Sequence, residues 1–240
     1  MALLTPRPTN LVVDRLGYGD TPNLLKFSSF DYDVFEDKFW GDALLGLYPA
    51  AKTNGTSAAV TFTEHNANGY LDLVSGTTDN GYAGQGLGLQ FTGDRGVLAE
   101  FIVRTPAAIT TMKFEVGLQD ADDDGAINIK ATPSFTAADT AVFVVDTDDD
   151  ANIAFISAKG GSGTATQDIQ ALTASTTYRL AVRAIGDSVE GFINGTQVAG
   201  HDAGIEGGSA LTPWAFVQAR GGSASRTLQL HKWRVTQPAY

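Results

Sequence analysis

Between Thr177 and Gly204, apolar residues recur at alternate positions in three short runs separated by turn dipeptides. Tyr178, Leu180 and Val182 fall on one side of a pleat while Arg179 and Arg183 fall on the other, which predicts a strand with one buried face. Gly186-Asp187 then turns the chain into a run holding Val189, Gly191 and Ile193, with Phe192 opposed to them. Asn194-Gly195 joins that run to the next. Both residues of an Asn-Gly pair tolerate positive φ, so this dipeptide between alternating runs predicts a two-residue hairpin.

The same signals recur along most of the chain and predict strands near 57–64, 70–74, 86–92, 97–104, 111–118, 140–146, 152–157, 177–184, 188–193, 196–201, 213–219 and 226–236. In the fifth, Met112, Phe114, Val116 and Leu118 alternate with Lys113, Glu115 and Gly117, a half-buried pattern that places Glu115 at the surface. In the last, Leu228, Leu230, Trp233 and Val235 form an apolar set broken once, as at a bulge. Gly160–Thr166 and Gly221–Ser225 read as Gly/Ser turns. Many short strands without a long helical pattern predict an all-β antiparallel sandwich of the jelly-roll type over 31–240.

Residues 1–30 sustain neither period and carry Pro6, Pro8 and Pro22, so they read as an extended N-terminal arm. Leu11, Val12, Val13, Leu24 and Leu25 are costly to leave in water, and they are the expected contacts with a partner subunit. The next stretch, 30–48, is aromatic-rich, and FEDKFWGDALLGLY is expected to form one or two helical turns or to open the first strand.

Strand order, the Phe-Ile-Asn-Gly hairpin and a set of short segments carry a resemblance. FEDKFWG (35–41), Gly-Tyr-Leu (69–71), AEFIVRTP (99–106), GLQD (117–120) and LHKWRV (230–235) follow one another in the order found in concanavalin A-like, laminin-G-like jelly-roll modules. The chain resembles such modules of tailed-phage structural proteins and of glycan-binding proteins. The motifs are patterns of strand and turn, which specify fold better than activity.

Composition narrows the function. Sixteen Lys and Arg stand against 27 Asp and Glu, a formal net charge of −11, and the cations are scattered, so nucleic acid is not an expected partner. No 18-residue apolar run exists to span a membrane, and residues 1–10 do not read as a secretory signal. The absence of cysteine removes disulfides, thiolate zinc sites and Cys nucleophiles together.

Asp120, Asp122 and Asp124 before Gly125 match the first half of a calcium loop, D-x-D-x-D-G, in which alternating carboxylates converge on a hard cation. Ala131 stands where an EF-hand needs its bidentate Glu, so only a sandwich-loop calcium site survives. A second run, Asp146 and Asp148 to Asp150, would share ligation if both loops lay at one end of the sandwich. Solvated acidic turns are the other reading. The resemblance also brings laminarinase-like glycosidases to mind, but their acidic strand motif, E-x-D-x-x-E, is missing, and His65, His201 and His231 show neither zinc spacing nor a G-x-S-x-G partner. Among the rings, Trp214 and Trp233 read as core and Tyr82, in TTDNGYAGQG, as the exposed one a sugar would stack on.

Two functions are therefore expected. One is a non-enzymatic virion structural protein of a tailed phage. It would be a capsid decoration or cement-like subunit, made in the host cytoplasm, docking by its arm on the major capsid protein or other virion subunits and forming homo-oligomers. The other is a lectin-like glycan-binding module using Tyr82, with calcium as its one candidate cofactor.

Overall fold

The computed structural model describes residues 27–29, 32–39, 48–63, 69–122, 124–221 and 224–238. They hold strands and turns and no helix. In chain order the strands are β1 (Phe27–Ser29), β2 (Tyr32–Asp37), β3 (Lys52–Asn54), β4 (Ala59–Thr63), β5 (Tyr70–Val74) and β6 (Tyr82–Gly86). There follow β7 (Val97–Arg104), β8 (Met112–Gln119), β9 (Ile127–Ile129), β10 (Ser134–Phe135), β11 (Thr140–Asp146) and β12 (Asp150–Lys159). The last six are β13 (Ser162–Ala171), β14 (Thr177–Ile185), β15 (Ser188–Ile193), β16 (Thr196–His201), β17 (Thr212–Ala219) and β18 (Thr227–Pro238).

Two antiparallel sheets form a sandwich. The first runs β1-β2-β18-β7-β14-β15-β16, with β5 pairing the other half of β18 and β4 pairing β5. The second runs β13-β12-β11-β8-β17-β6-β3. Alternation decides which side chains meet between them. Phe101 and Val103 of β7, Leu180 and Val182 of β14, and Trp233 and Val235 of β18 face Phe114 and Val116 of β8, Phe143 of β11 and Phe155 of β12 in one core.

The turn chemistry holds where the sequence is explicit. Asn194 and Gly195 both have positive φ, 53° and 85°, and close the two-residue hairpin between β15 and β16. The interruption in the last strand is a bulge: the register of β18 on β7 shifts between Leu230 and Lys232. Two expectations are corrected. The strand placed at 86–92 lies earlier, at Tyr82–Gly86, so Tyr82 is a strand residue and not a loop residue. The Gly/Ser turn ends at Gly161, and Ser162 begins the ten-residue edge strand β13. Of the aromatic stretch, Tyr32–Asp37 is a strand paired with β18, while 40–47 lie outside the described residues.

Residues 120–139, between β8 and β11, fold as an insertion across the outer face of the second sheet. Ala126 and Ile127 beside β9 and Phe135 of β10 pack on Val142, Val144, Ala154 and Ile156, the outward side chains of β11 and β12, in a second and smaller apolar cluster. The insertion also reaches β17, where Gly125 lies against the buried Phe216 ring, while toward the edge of the sheet Tyr82 of β6 is half-buried and Asn54 of β3 exposed.

Candidate functional site

Cross-strand register sets out that outer face. Residues directly opposite in an antiparallel sheet share a face, and one row reads Asn54, Tyr82, Gln218, Lys113 across β3, β6, β17 and β8. The next reads Lys52, Gly84, Phe216, Glu115, and a third Gly86, Trp214, Gly117. Gly84 and Gly86 serve one purpose. The Trp214 indole lies on their bare backbone, and a Cβ at either position would run into it. Trp214 is 1% exposed yet lies outside the inter-sheet core, so it is the buried floor of the outer face and not a core residue of the sandwich.

Tyr82 is half-buried, with its ring stacked on Phe216 at a centroid distance of 5.3 Å and an interplanar angle of 36°. Polar groups surround it. The Gln218 amide donates to the Asn80 carbonyl at 3.2 Å, and Arg220 reaches the Asn80 side-chain oxygen at the same distance. Lys52 stands two residues along β3 from Asn54 of this row, 4.0 Å from Asp122 of the insertion. The sheet and the insertion together make a shelf: a Tyr82 platform backed by Phe216, edged by amides on one side and by Lys52 and Asp122 on the other.

Glu115 is not at the surface. It is 0% exposed, its carboxylate accepting the Ala126 amide at 2.5 Å and the Ile127 amide at 3.2 Å, with the Lys113 ammonium 2.7 Å away. Lys113, itself buried, also donates to the Ile127 carbonyl and lies 5.6 Å from the centroid of the Phe216 ring. Charges that alternate outward on β8 meet the insertion instead of water. The pair clamps the insertion to the sheet, and its amide partners occupy the lone pairs that an acid or base would need.

The acidic runs do not meet. Gln119 pairs with Thr140 and Lys113 with Asp146, so β8 and β11 carry Asp120 to one end of the sandwich and Asp146 to the other, which removes shared ligation. Most of these carboxylates have partners of their own. Asp120 accepts the Ala138 amide at 3.1 Å, and burial pushes its carboxyl above the usual range despite its backbone hydrogen bonds. Asp122 faces Lys52, and Asp124 accepts the Gly125 amide at 2.6 Å. Asp146, 2% exposed, takes a two-point contact from Arg220 at 3.1 and 2.8 Å, while Asp148 stands exposed in the turn after β11. The fully buried Lys130 ammonium lies 2.6 Å from Asp150 and 3.9 Å from Asp149. Desolvation would raise the Asp150 carboxyl, but the Lys130 hydrogen bond and charge and the Asn152 amide hold it below the usual range. Among the described residues no three His, Cys, Asp or Glu side chains are grouped to hold a metal ion. The expected calcium set, Asp120, Asp122, Asp124, Asp146 and Asp148, is therefore dispersed, its charge met in part by lysine, arginine and backbone amides.

A histidine contact that spacing did not reveal lies on β16. His201 Nδ1 is 2.7 Å from Ser157 Oγ and its Nε2 3.1 Å from Thr166 Oγ1, a polar knot tying β12, β13 and β16, and burial lowers its pKa. Both ring nitrogens are engaged by hydroxyls, which suits a neutral structural imidazole. His65, and the expected arm contacts Leu11, Val12, Val13, Leu24 and Leu25, lie outside the described residues.

Comparison with solved structures identifies the fold. The chain superposes on a carbohydrate recognition domain, that of Emp47p, with a TM-score of 0.57 at 9% identity, covering 88% of this chain and 99% of that one. A glycoside hydrolase family 16 endo-glucanase from Bacteroides ovatus gives 0.57 at 7% identity over 84% and 99%. Such likeness establishes the concanavalin A-like jelly roll, a fold shared by lectins and enzymes. No curated protein sequence matches. A protein of unknown function, SO2946 from Shewanella oneidensis MR-1, gives a TM-score of 0.60 at 13% identity over 93% of this chain and 90% of that one. The sequence model of the SO2946-like C-terminal domain matches residues 66–228, a span that holds Tyr82, Phe216, Gln218 and the insertion but not Lys52 and Asn54 of β3, and the chain belongs to that family.

Proposed function

We propose that this protein is a non-enzymatic, lectin-like module that binds carbohydrate on the Tyr82 shelf. The row Asn54-Tyr82-Gln218 carries the reading: an aromatic ring held from behind by Phe216 and flanked across the strands by two side-chain amides. A sugar offers an apolar C–H face and a ring of hydroxyls, so it is recognised by such a platform with amide donors and acceptors at its edge. The carbohydrate recognition domain among the structural neighbours supports the class of ligand. The locked state of Glu115 favours binding over hydrolysis, because its oxygens already face two amides and an ammonium.

Tyr82→Ala is expected to weaken binding to a glycan-array ligand by about 1–3 kcal/mol, taking base-stacking magnitudes as the guide. Titration calorimetry on the strongest array ligand checks this. Unchanged affinity would remove the shelf as the site.

The particle-docking role is a second proposal, supported by the apolar groups of residues 1–30. It predicts a fixed copy number in purified virions and release of the Leu11→Asp/Val13→Asp variant from particles, with the circular dichroism of the sandwich unchanged. Wild-type docking by that variant would end it.

A further inference from the structure

At 4.0 Å, the Lys52 ammonium and the Asp122 carboxylate are too far apart for a direct hydrogen bond, and their side chains remain 38% and 41% exposed. An oxygen at about 2.8 Å from each fits between them, accepting from the ammonium and donating to the carboxylate. A hydroxyl supplies both functions in one atom; a carboxylate or sulfate oxygen supplies only the acceptor. The position is set by the fold. Lys52 pairs with Gly84, whose bare backbone carries the Trp214 indole, and the next pair on that face of the same strands is Asn54 with Tyr82.

Charge around the shelf points the same way. Arg220 is matched by Asp146, Lys113 by Glu115 and Lys52 by Asp122. Asp79, in the turn before β6, is exposed, and the chain carries a net charge of −11. An anionic ligand would enter a negative field with each of these cations already neutralised, at an affinity cost that grows as salt is lowered.

We infer that Lys52 and Asp122 form a hydroxyl-reading subsite beside the Tyr82 ring, and that its ligand is a neutral saccharide. This rests on the carbohydrate reading of the shelf. A ligand hydroxyl seated there replaces a bridging water and keeps both of its hydrogen bonds, so specificity comes from the position of that hydroxyl relative to the stacked ring.

The test uses the full chain against immobilised neutral hexose oligosaccharides and the same backbones oxidised at C6 to uronates. Wild-type protein is expected to bind members of the neutral set and to bind their uronate counterparts at least tenfold more weakly, with the gap widening at low salt. Lys52→Met and Asp122→Asn are each expected to lower affinity for the neutral ligand about tenfold, and the double variant to lose little more, because the two side chains hold one hydroxyl. Circular dichroism and melting temperature confirm that these exposed substitutions leave the fold intact. Uronate binding equal to or tighter than neutral, or wild-type affinity in both single variants while Tyr82→Ala still weakens binding, overturns the subsite and leaves the Tyr82 platform standing. Folded protein that binds neither set overturns both.

Discussion

Lys113→Met is expected to lower the free energy of unfolding by about 3–5 kcal/mol, the usual cost of stripping the partner from a buried ion. The lysine side chain is 3% exposed and the Glu115 side chain 0%, so water cannot take the ammonium's place without opening the insertion. Methionine fills nearly the same volume, which separates the lost charge from a cavity. The Glu115 carboxylate would keep its two amide donors but lose its counter-ion, and the Ile127 carbonyl would lose a donor as well. Lys113→Met combined with Glu115→Gln is expected to recover part of the loss, because no charge is then left buried and the glutamine carbonyl can still accept from the Ala126 and Ile127 amides. Urea titration gives the energies through the midpoint at constant slope. Hydrogen exchange of the Ala126 and Ile127 amides gives the location: their protection should fall further than that of β7 or β14. A single-variant loss below about 1 kcal/mol would mean that the pair behaves like an exposed one and that the insertion is held by its apolar cluster alone.

Period-two alternation made β7, β8, β11 and β14 to β16 legible, since each of those strands buries one or both faces, and the turns on either side of β15 use Gly186, Asn194 and Gly195 where positive φ is needed. Strand β13 was not legible. Its sequence, SGTATQDIQA, has no apolar alternation, and it is a strand because β12 templates it and because Thr166 meets His201 across the sandwich. Strand β6 was displaced for a related reason: YAGQG looks like a loop because Trp214 requires glycine beneath its indole, so the residues that build the shelf weaken the signal of the strand that carries it. The site failed to show itself through distance along the chain. Glu115 and Lys113 look solvent-facing until the insertion, beginning at residue 120, folds back over them. The D-x-D-x-D-G pattern is local, whereas the cations that answer the acidic runs, Lys52, Lys130 and Arg220, come from remote strands and loops that only the fold brings near. Tyr82 was legible as a residue but not as a platform, since its backing ring, Phe216, is 134 positions away.

Trp214→Ala is expected to cost about 3–5 kcal/mol, the range for truncating a buried aromatic, and the loss should reach the shelf through the strand it shares with Phe216. The indole is 1% exposed and packs on the bare backbone of Gly84 and Gly86, with no side chain beneath it to expand into the space. Phe216 lies two residues along β17 and opposite Gly84, so a hollow at Trp214 loosens the support of the Tyr82 ring. Trp214→Phe separates packing from polarity. The indole N–H has no hydrogen-bond partner among the described residues, so replacing it removes a buried unpaired donor, and most of the ring area is retained. The phenylalanine variant should therefore lose no more than about half of what the alanine variant loses. Tyr82→Ala, by contrast, removes a half-buried ring that faces the proposed ligand and should cost fold stability less than Trp214→Ala while costing binding more. Guanidinium unfolding of the three variants, followed by calorimetric titration with the same neutral oligosaccharide, reads both axes. Equal losses of stability in Trp214→Phe and Trp214→Ala would show that the indole N–H does have a partner in solution. A Tyr82→Ala variant as unstable as Trp214→Ala would make Tyr82 a packing residue and take the platform away.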